Sequence, residues 1–149
     1  MSVIRVTKEF RFEMAHVLQN YDGPCRNIHG HSYVLYVTVS GTPSADHEST
    51  TNGMVIDFGE LKRLVEKEIV DKYDHSIAVA GFMPEEKLKE YKRLFENLIV
   101  EPYQPTCENL VAGFAAALKD KLPSDVRLHS LKLYETATAY AEWYACDNK

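Results

Sequence analysis

Apolar and polar residues alternate from Phe10 through Phe12 and Met14 to His16, with Arg11, Glu13 and Ala15 between them. That period of two predicts a strand with His16 at the end of its apolar face. A polar loop from Gln19 to Arg26 follows, with Asp22-Gly23-Pro24 as its turn signal, and then a β-rich run from Ser32 to Ser40. The run predicts a second strand, entered directly from His29-Gly30-His31. The Ser- and Thr-rich stretch from Thr42 to Asn52 reads as an excursion before a short strand, Gly53 to Phe58. Leu61, Leu64, Val65 and Ile69 then fall at helical spacing, and Asp57 stands where a carboxylate favours a helix start.

Beyond a loop containing Asp74-His75, Pro84 opens a charged segment whose Leu88, Tyr91, Leu94, Phe95 and Leu98 share one helical stripe, which predicts an accessory helix. Thr106 is placed to cap a further helix carrying Leu110, Val111, Phe114 and Leu118, with Pro123 just past its end. Two closing strands, about Leu128–Glu135 and Ala139–Ala145, complete an α+β chain without internal repeat or linker. A single domain over residues 1–149 is the expectation.

Composition narrows the function. A hydrophobic share of 45% supplies a core, and 22 acidic against 17 basic residues leave a formal charge of −5, which disfavours a nucleic-acid binder. There is neither an apolar run of the ~20 residues that a bilayer span needs nor a signal-like N-terminal pattern, so a cytoplasmic protein outside the membrane is expected. Cys25, Cys107 and Cys146 are odd in number and widely spaced, which argues against a disulfide framework.

The chemistry concentrates in three histidines. His29 and His31, at i and i+2 on a strand, project one way and lie ~6–7 Å apart along the backbone, a spacing that suits two ligands of one ion. Pairing of the first two strands would bring His16 to the same point, and three imidazoles with one open position make a catalytic zinc site. A His-x-His alone is weak evidence, since surface and core histidines are common. Gly30 permits close backbone approach, and Cys25, four residues before His29, adds a nucleophile or base. Cys25 as a fourth, structural ligand is the bland alternative. His47 and His129 carry no assigned role, and Cys107 reads as a small packing residue.

These residues are embedded in Phe12-x-x-x-His16, Cys25-Arg26-Asn27-Ile28-His29-Gly30-His31, Gly53-Met54-Val55-Ile56-Asp57-Phe58, Asp74-His75, Pro105-Thr106-Cys107-Glu108-Asn109 and Tyr134-Glu135-Thr136. In that order, and over nearly the whole chain, the sequence resembles the 6-pyruvoyltetrahydropterin synthase and 6-carboxytetrahydropterin synthase family. The resemblance implies the tunnelling fold (T-fold): a four-stranded antiparallel sheet with helices on one face, whose strands join neighbours into a trimeric barrel, two of which stack as a hexamer. It implies zinc (Zn2+) held by His16, His29 and His31, Cys25 as the catalytic thiol, and Asp74 with His75 as proton-relay partners supplied across a subunit boundary.

The resemblance further implies that Glu135 anchors the pterin, with Thr106 and Glu108 as candidate substrate contacts. Without it, Glu135 would read as a solvated strand-end acid and Glu108 equally well as a first-turn carboxylate. The short Cys-x-x-x-His-Gly-His spacing is similar to that of the bacterial 6-carboxytetrahydropterin synthases, which act on 7,8-dihydroneopterin triphosphate and feed the pathway to queuosine. A pyruvoyl synthase, a non-catalytic zinc and pterin-binding module and a purely structural zinc domain are the competing readings. The segment from about Gly81 to Glu101 is longer than in compact bacterial members. Arg26, Lys8 and Arg11 are candidate triphosphate contacts by proximity in sequence alone.

Overall fold

A computed structural model describes residues 1–149. Strands β1 (Ile4–His16) and β2 (His29–Gly41) form a long antiparallel pair, joined on the far side of β2 by antiparallel β5 (Arg127–Tyr134) and then β6 (Tyr140–Tyr144). On the other edge, β1 pairs in parallel with β3 (Ser76–Ala80), but only over Met14–His16, and β3 pairs in parallel with β4 (Leu98–Glu101). The sheet is therefore six-stranded and mixed, in the order β4-β3-β1-β2-β5-β6, rather than four-stranded and antiparallel. The two extra strands, β3 and β4, both follow Asp74-His75.

Alternation decides which face is buried. Phe10, Phe12, Met14 and His16 of β1, with Tyr33, Leu35, Val37 and Val39 of β2, are buried on one face. Against them pack Leu61 and Val65 of α1 (Phe58–Val65), Ile69 of the π-helical turn that continues it (Glu66–Val70), and Leu110, Val111, Phe114 and Leu118 of α4 (Cys107–Leu118). A short α2 (Asp71–Tyr73) completes the first helical run, and α3 (Glu85–Leu94) lies between β3 and β4.

Helix starts follow the expected chemistry. The Asp57 carboxylate accepts from the N–H groups of Gly59 (2.6 Å) and Glu60 (3.3 Å), and the Thr106 hydroxyl accepts from the Asn109 N–H at 3.3 Å.

Three local expectations are corrected. Gly53 to Phe58 forms a turn and a helix cap, not a strand; Val55 and Ile56 are buried there without a ladder of backbone pairs. The accessory helix ends at Leu94, and Leu98 belongs to β4, whose first pair is Ile77 with Leu98. The second strand begins at His29, so His-Gly-His lies inside it. All three cysteines are free, and no helix is long and apolar enough to cross a membrane.

Candidate functional site

The β1–β2 register sets His16 opposite His29 and Met14 opposite His31, which places three imidazoles on the core-side face at one end of the sheet. Their ring centroids stand 4.5 Å (His16 to His29), 4.9 Å (His29 to His31) and 5.1 Å (His16 to His31) apart. One nitrogen from each lies within 4.8 Å of the others. His16 is 1% exposed, the other two partly buried.

Hydrogen bonding fixes the tautomers of two of the rings. His16 Nδ1 stands 2.7 Å from the carbonyl oxygen of Pro105, and His29 Nδ1 stands 2.8 Å from that of Asn27. A carbonyl only accepts, so each Nδ1 carries the proton and each neutral Nε2 presents a lone pair. Those two Nε2 atoms face one another at 3.0 Å. Two lone pairs at that distance repel unless a shared proton or a metal ion lies between them. Ligands ~2.0–2.1 Å from a tetrahedral zinc would be about 3.3 Å apart, so the observed spacing fits one ion.

Electrostatics point the same way. Burial lowers the pKa of His16 against the opposing pull of the Pro105 carbonyl and the Glu135 charge, and burial likewise lowers that of His31. Both shifts favour the neutral, ligating form at pH 7. Glu135 follows β5 directly, and its Oε1 stands 3.3 Å from His16 Nε2 and 3.6 Å from His31 Nε2. Its carboxylate therefore borders the imidazole cluster directly.

Cys25 sits half-buried in the 3-10 turn Pro24–Arg26, and its carbonyl accepts from the Leu18 N–H at 3.1 Å, two residues beyond His16. The loop is thereby tied back to the end of β1. The Cys25 thiol makes no hydrogen bond to the imidazoles. The thiol of Cys107 instead donates to the Leu133 carbonyl at 3.2 Å, and burial pushes its pKa up to about 12, which suits packing and not nucleophilic chemistry.

Asp74 and His75 form a second constellation. Asp74 Oδ2 lies 3.0 Å from His75 Nδ1, and Asp74 Oδ1 accepts from the Glu13 N–H at 2.8 Å. That backbone bond, with the His75 side chain after it, holds the Asp74 carboxyl below its ordinary range. His75 is well exposed and lines a cavity of 330 Å³ with residues 13–15 of β1, residues 30–32 of β2, His31 among them, and Ser76. Glu13 and Ala15 alternate with Met14 and His16 along β1 and project to the other sheet face, while His31 of the cluster lines the same cavity. Within one subunit Asp74 and His75 make no hydrogen bond to the three imidazoles.

Thr106 and Glu108 stand at the start of α4, immediately after the Pro105 carbonyl that holds His16. His47 and His129 lie outside the cluster, contacting Asn52 and Ser130 respectively. Sequence reasoning missed Tyr33, whose buried hydroxyl has no partner and whose ring centroid is 5.6 Å from that of His31. Its signal was available, since Tyr33 continues the i, i+2 series of His29 and His31. The Pro105 and Asn27 carbonyls were missed too, because backbone acceptors carry no residue-type signature.

Comparison with known proteins follows the same lines. A family model described as 6-pyruvoyl tetrahydropterin synthase matches residues 5–146. The 6-carboxy-5,6,7,8-tetrahydropterin synthase of Haemophilus influenzae is 32% identical over 145 residues, spanning 95% of this chain and 99% of that protein. The protein of the same name from Synechocystis is 32% identical over 141 residues, spanning 94% and 92%. Among solved structures, the 6-pyruvoyl tetrahydropterin synthase of Plasmodium falciparum superposes with a TM-score of 0.70 at 22% identity, covering 97% of this chain and 99% of that one. That of Caenorhabditis elegans gives 0.66 at 23%, covering 97% of each. These superpositions establish a shared α+β T-fold with a mixed sheet. Matched from Arg5 to Cys146 by the family model, and over nearly its full length by curated relatives of the same kind, this chain belongs to the 6-pyruvoyl tetrahydropterin synthase family.

Proposed function

We propose that the protein is a zinc-dependent 6-carboxytetrahydropterin synthase. It would convert 7,8-dihydroneopterin triphosphate and one water to 6-carboxy-5,6,7,8-tetrahydropterin with release of acetaldehyde and triphosphate, as a step toward queuosine. The carrying observation is the pair of Nε2 lone pairs facing each other at 3.0 Å while both Nδ1 protons are committed to carbonyls. The shared name of the bacterial relatives at 32% identity and the short Cys25–His29 spacing support the carboxy product over the pyruvoyl one.

His16, His29 and His31 would hold the metal, which supplies Lewis acidity toward the hydroxyl oxygens of the substrate side chain. Cys25 takes a proton from the neighbouring C–H as general base. Asp74, ionised at neutral pH, orients His75 through Nδ1 and leaves Nε2 free to pass a proton. That pair makes no hydrogen bond to the imidazoles of its own chain, and it would serve the site of a neighbouring subunit in a trimeric barrel, two of which stack as a hexamer. Unpaired edges are available for this closure on β6 and on β1 before Met14.

Glu135 accepts the two parallel N–H donors of the pterin edge. Thr106 and Glu108, at the start of α4, would be further substrate contacts, with the Thr106 hydroxyl proton left to donate because its oxygen already caps the helix. The test is incubation of purified protein with 7,8-dihydroneopterin triphosphate and assay of acetaldehyde. Acetaldehyde from the wild type and none from Cys25→Ala, with zinc retained, is expected. Triphosphate release without acetaldehyde would assign the pyruvoyl reaction instead, and no turnover at all would leave a binding module.

A further inference from the structure

The segment from Gly81 to Glu101 returns to the proposed relay pair. Its final strand, β4, pairs with β3, which begins at Ser76, one residue beyond His75. Immediately before β4 stands Asn97. Its carbonyl accepts from the Ile77 N–H at 3.0 Å, which fixes its backbone beside the start of β3. Its side-chain amide donates to two successive carbonyls, that of Asp74 at 3.4 Å and that of His75 at 3.2 Å. One side chain thus spans the peptide carbonyls of both proposed relay residues.

Those two residues need holding. His75 has φ +60°, the left-handed region that a side-chain-bearing residue rarely adopts, and the direction of its imidazole follows from that backbone. On one side Glu13 clamps the turn, donating its N–H to Asp74 Oδ1 at 2.8 Å and accepting the His75 N–H at 2.6 Å. Asn97 supplies the other side. At the far end of β4, the buried Glu101 accepts from the hydroxyl of Tyr73, the residue just before Asp74. Both ends of β4 therefore grip residues 73–75.

We propose that Asn97 is a positioning residue that sets the orientation of His75, and that the 81–101 segment exists in part to deliver it. The inference rests on the reading of Asp74 and His75 as the proton relay. Asn97 touches no reacting atom and acts only through the turn that it clamps.

The test compares the zinc-loaded wild type with Asn97→Ala, Asn97→Asp, His75→Ala and the double variant His75→Ala/Asn97→Ala, in single-turnover assays with enzyme in excess. Asn97→Asp keeps the shape and removes the donor. Misplacing a catalytic group by about 1 Å can cost up to ~100-fold, so a fall in kcat of about tenfold or more is expected in both Asn97 variants, with KM and zinc content unchanged. In the His75→Ala background the Asn97→Ala substitution should have no further effect, because the residue through which it acts is gone. Hydrogen exchange at the His75 amide should also accelerate by about tenfold or more in Asn97→Ala while the β1–β2 ladder keeps its protection.

Wild-type kcat in both Asn97 variants, losses that multiply in the double variant, or an unchanged exchange rate at His75 would each overturn the assignment. Full activity in His75→Ala would instead remove the relay reading, and this inference with it.

Discussion

Replacing His16 by Ala separates a ligand from a packing residue. The imidazole is 1% exposed, bonded to the Pro105 carbonyl through Nδ1 and aimed at His29 through Nε2. If the cluster binds zinc, free zinc at ~100 times its Kd stabilises the folded state by about 2.7 kcal/mol, since the unfolded chain presents no preformed site. At roughly 2–4 °C per kcal/mol for a chain of this size, the wild-type Tm rises by roughly 5–11 °C on adding zinc. His16→Ala leaves two imidazoles, and its rise at the same zinc concentration should fall below about 2 °C.

Without zinc the variant is also less stable, by about 1–3 kcal/mol for the buried carbonyl left without its donor, so the informative quantity is the zinc-induced increment within each protein. A thermal melt followed by circular dichroism, with and without zinc, reads both numbers. Equal increments in the two proteins would refute the assignment of His16 as a ligand.

Two further outcomes follow from the same contacts. Phe12 is stacked on Tyr33 at 5.1 Å and meets Phe114 edge-on at 6.0 Å, so Phe12→Ala should cost about 3–5 kcal/mol in chemical denaturation, and a loss below about 1 kcal/mol would contradict this packing. His16 and His31 have folded-state pKa values lowered by burial, so below the unfolded value of about 6.5 the unfolded chain binds more protons than the folded one. Metal-free protein should therefore lose stability as pH falls from about 6.5 toward those lowered values, and a urea midpoint at pH 5.5 equal to or above that at pH 7.5 would contradict the buried neutral imidazoles.

The parts of this structure that were legible in the sequence are those where one periodicity carries one meaning. Alternation from Phe10 to His16 and from His31 onward marks strands buried on one face, and the antiparallel register then brings His16 to His29. Strand β3 hid because Ser76–Ala80 is short, nearly continuous in burial and flanked by loop residues, which gives no alternation to read. Strand β4 hid because Leu98 also continues the helical stripe of Leu88 and Tyr91, and four residues are too few to break the tie. Gly53–Phe58 misled in the opposite direction: Val55 and Ile56 are buried by packing against the core, and apolar pattern alone does not reveal whether the backbone pairs.

At the site, side chains with metal-ligand chemistry were readable, whereas the groups that orient them were not. The carbonyls of Pro105 and Asn27 are set by tertiary structure, and the amide of Asn97 reaches Asp74 and His75 only because β4 folds back beside β3. The same holds for the cavity that His75 lines, which depends on where β3 joins β1.

Elemental analysis of protein purified without chelators, after gel filtration, bears most directly on the three imidazoles acting as one ligand set. One zinc per chain in the wild type, and none in His29→Ala purified in parallel and still folded, is the predicted result. Wild-type protein free of bound transition metal, or His29→Ala carrying zinc at full stoichiometry, would contradict it.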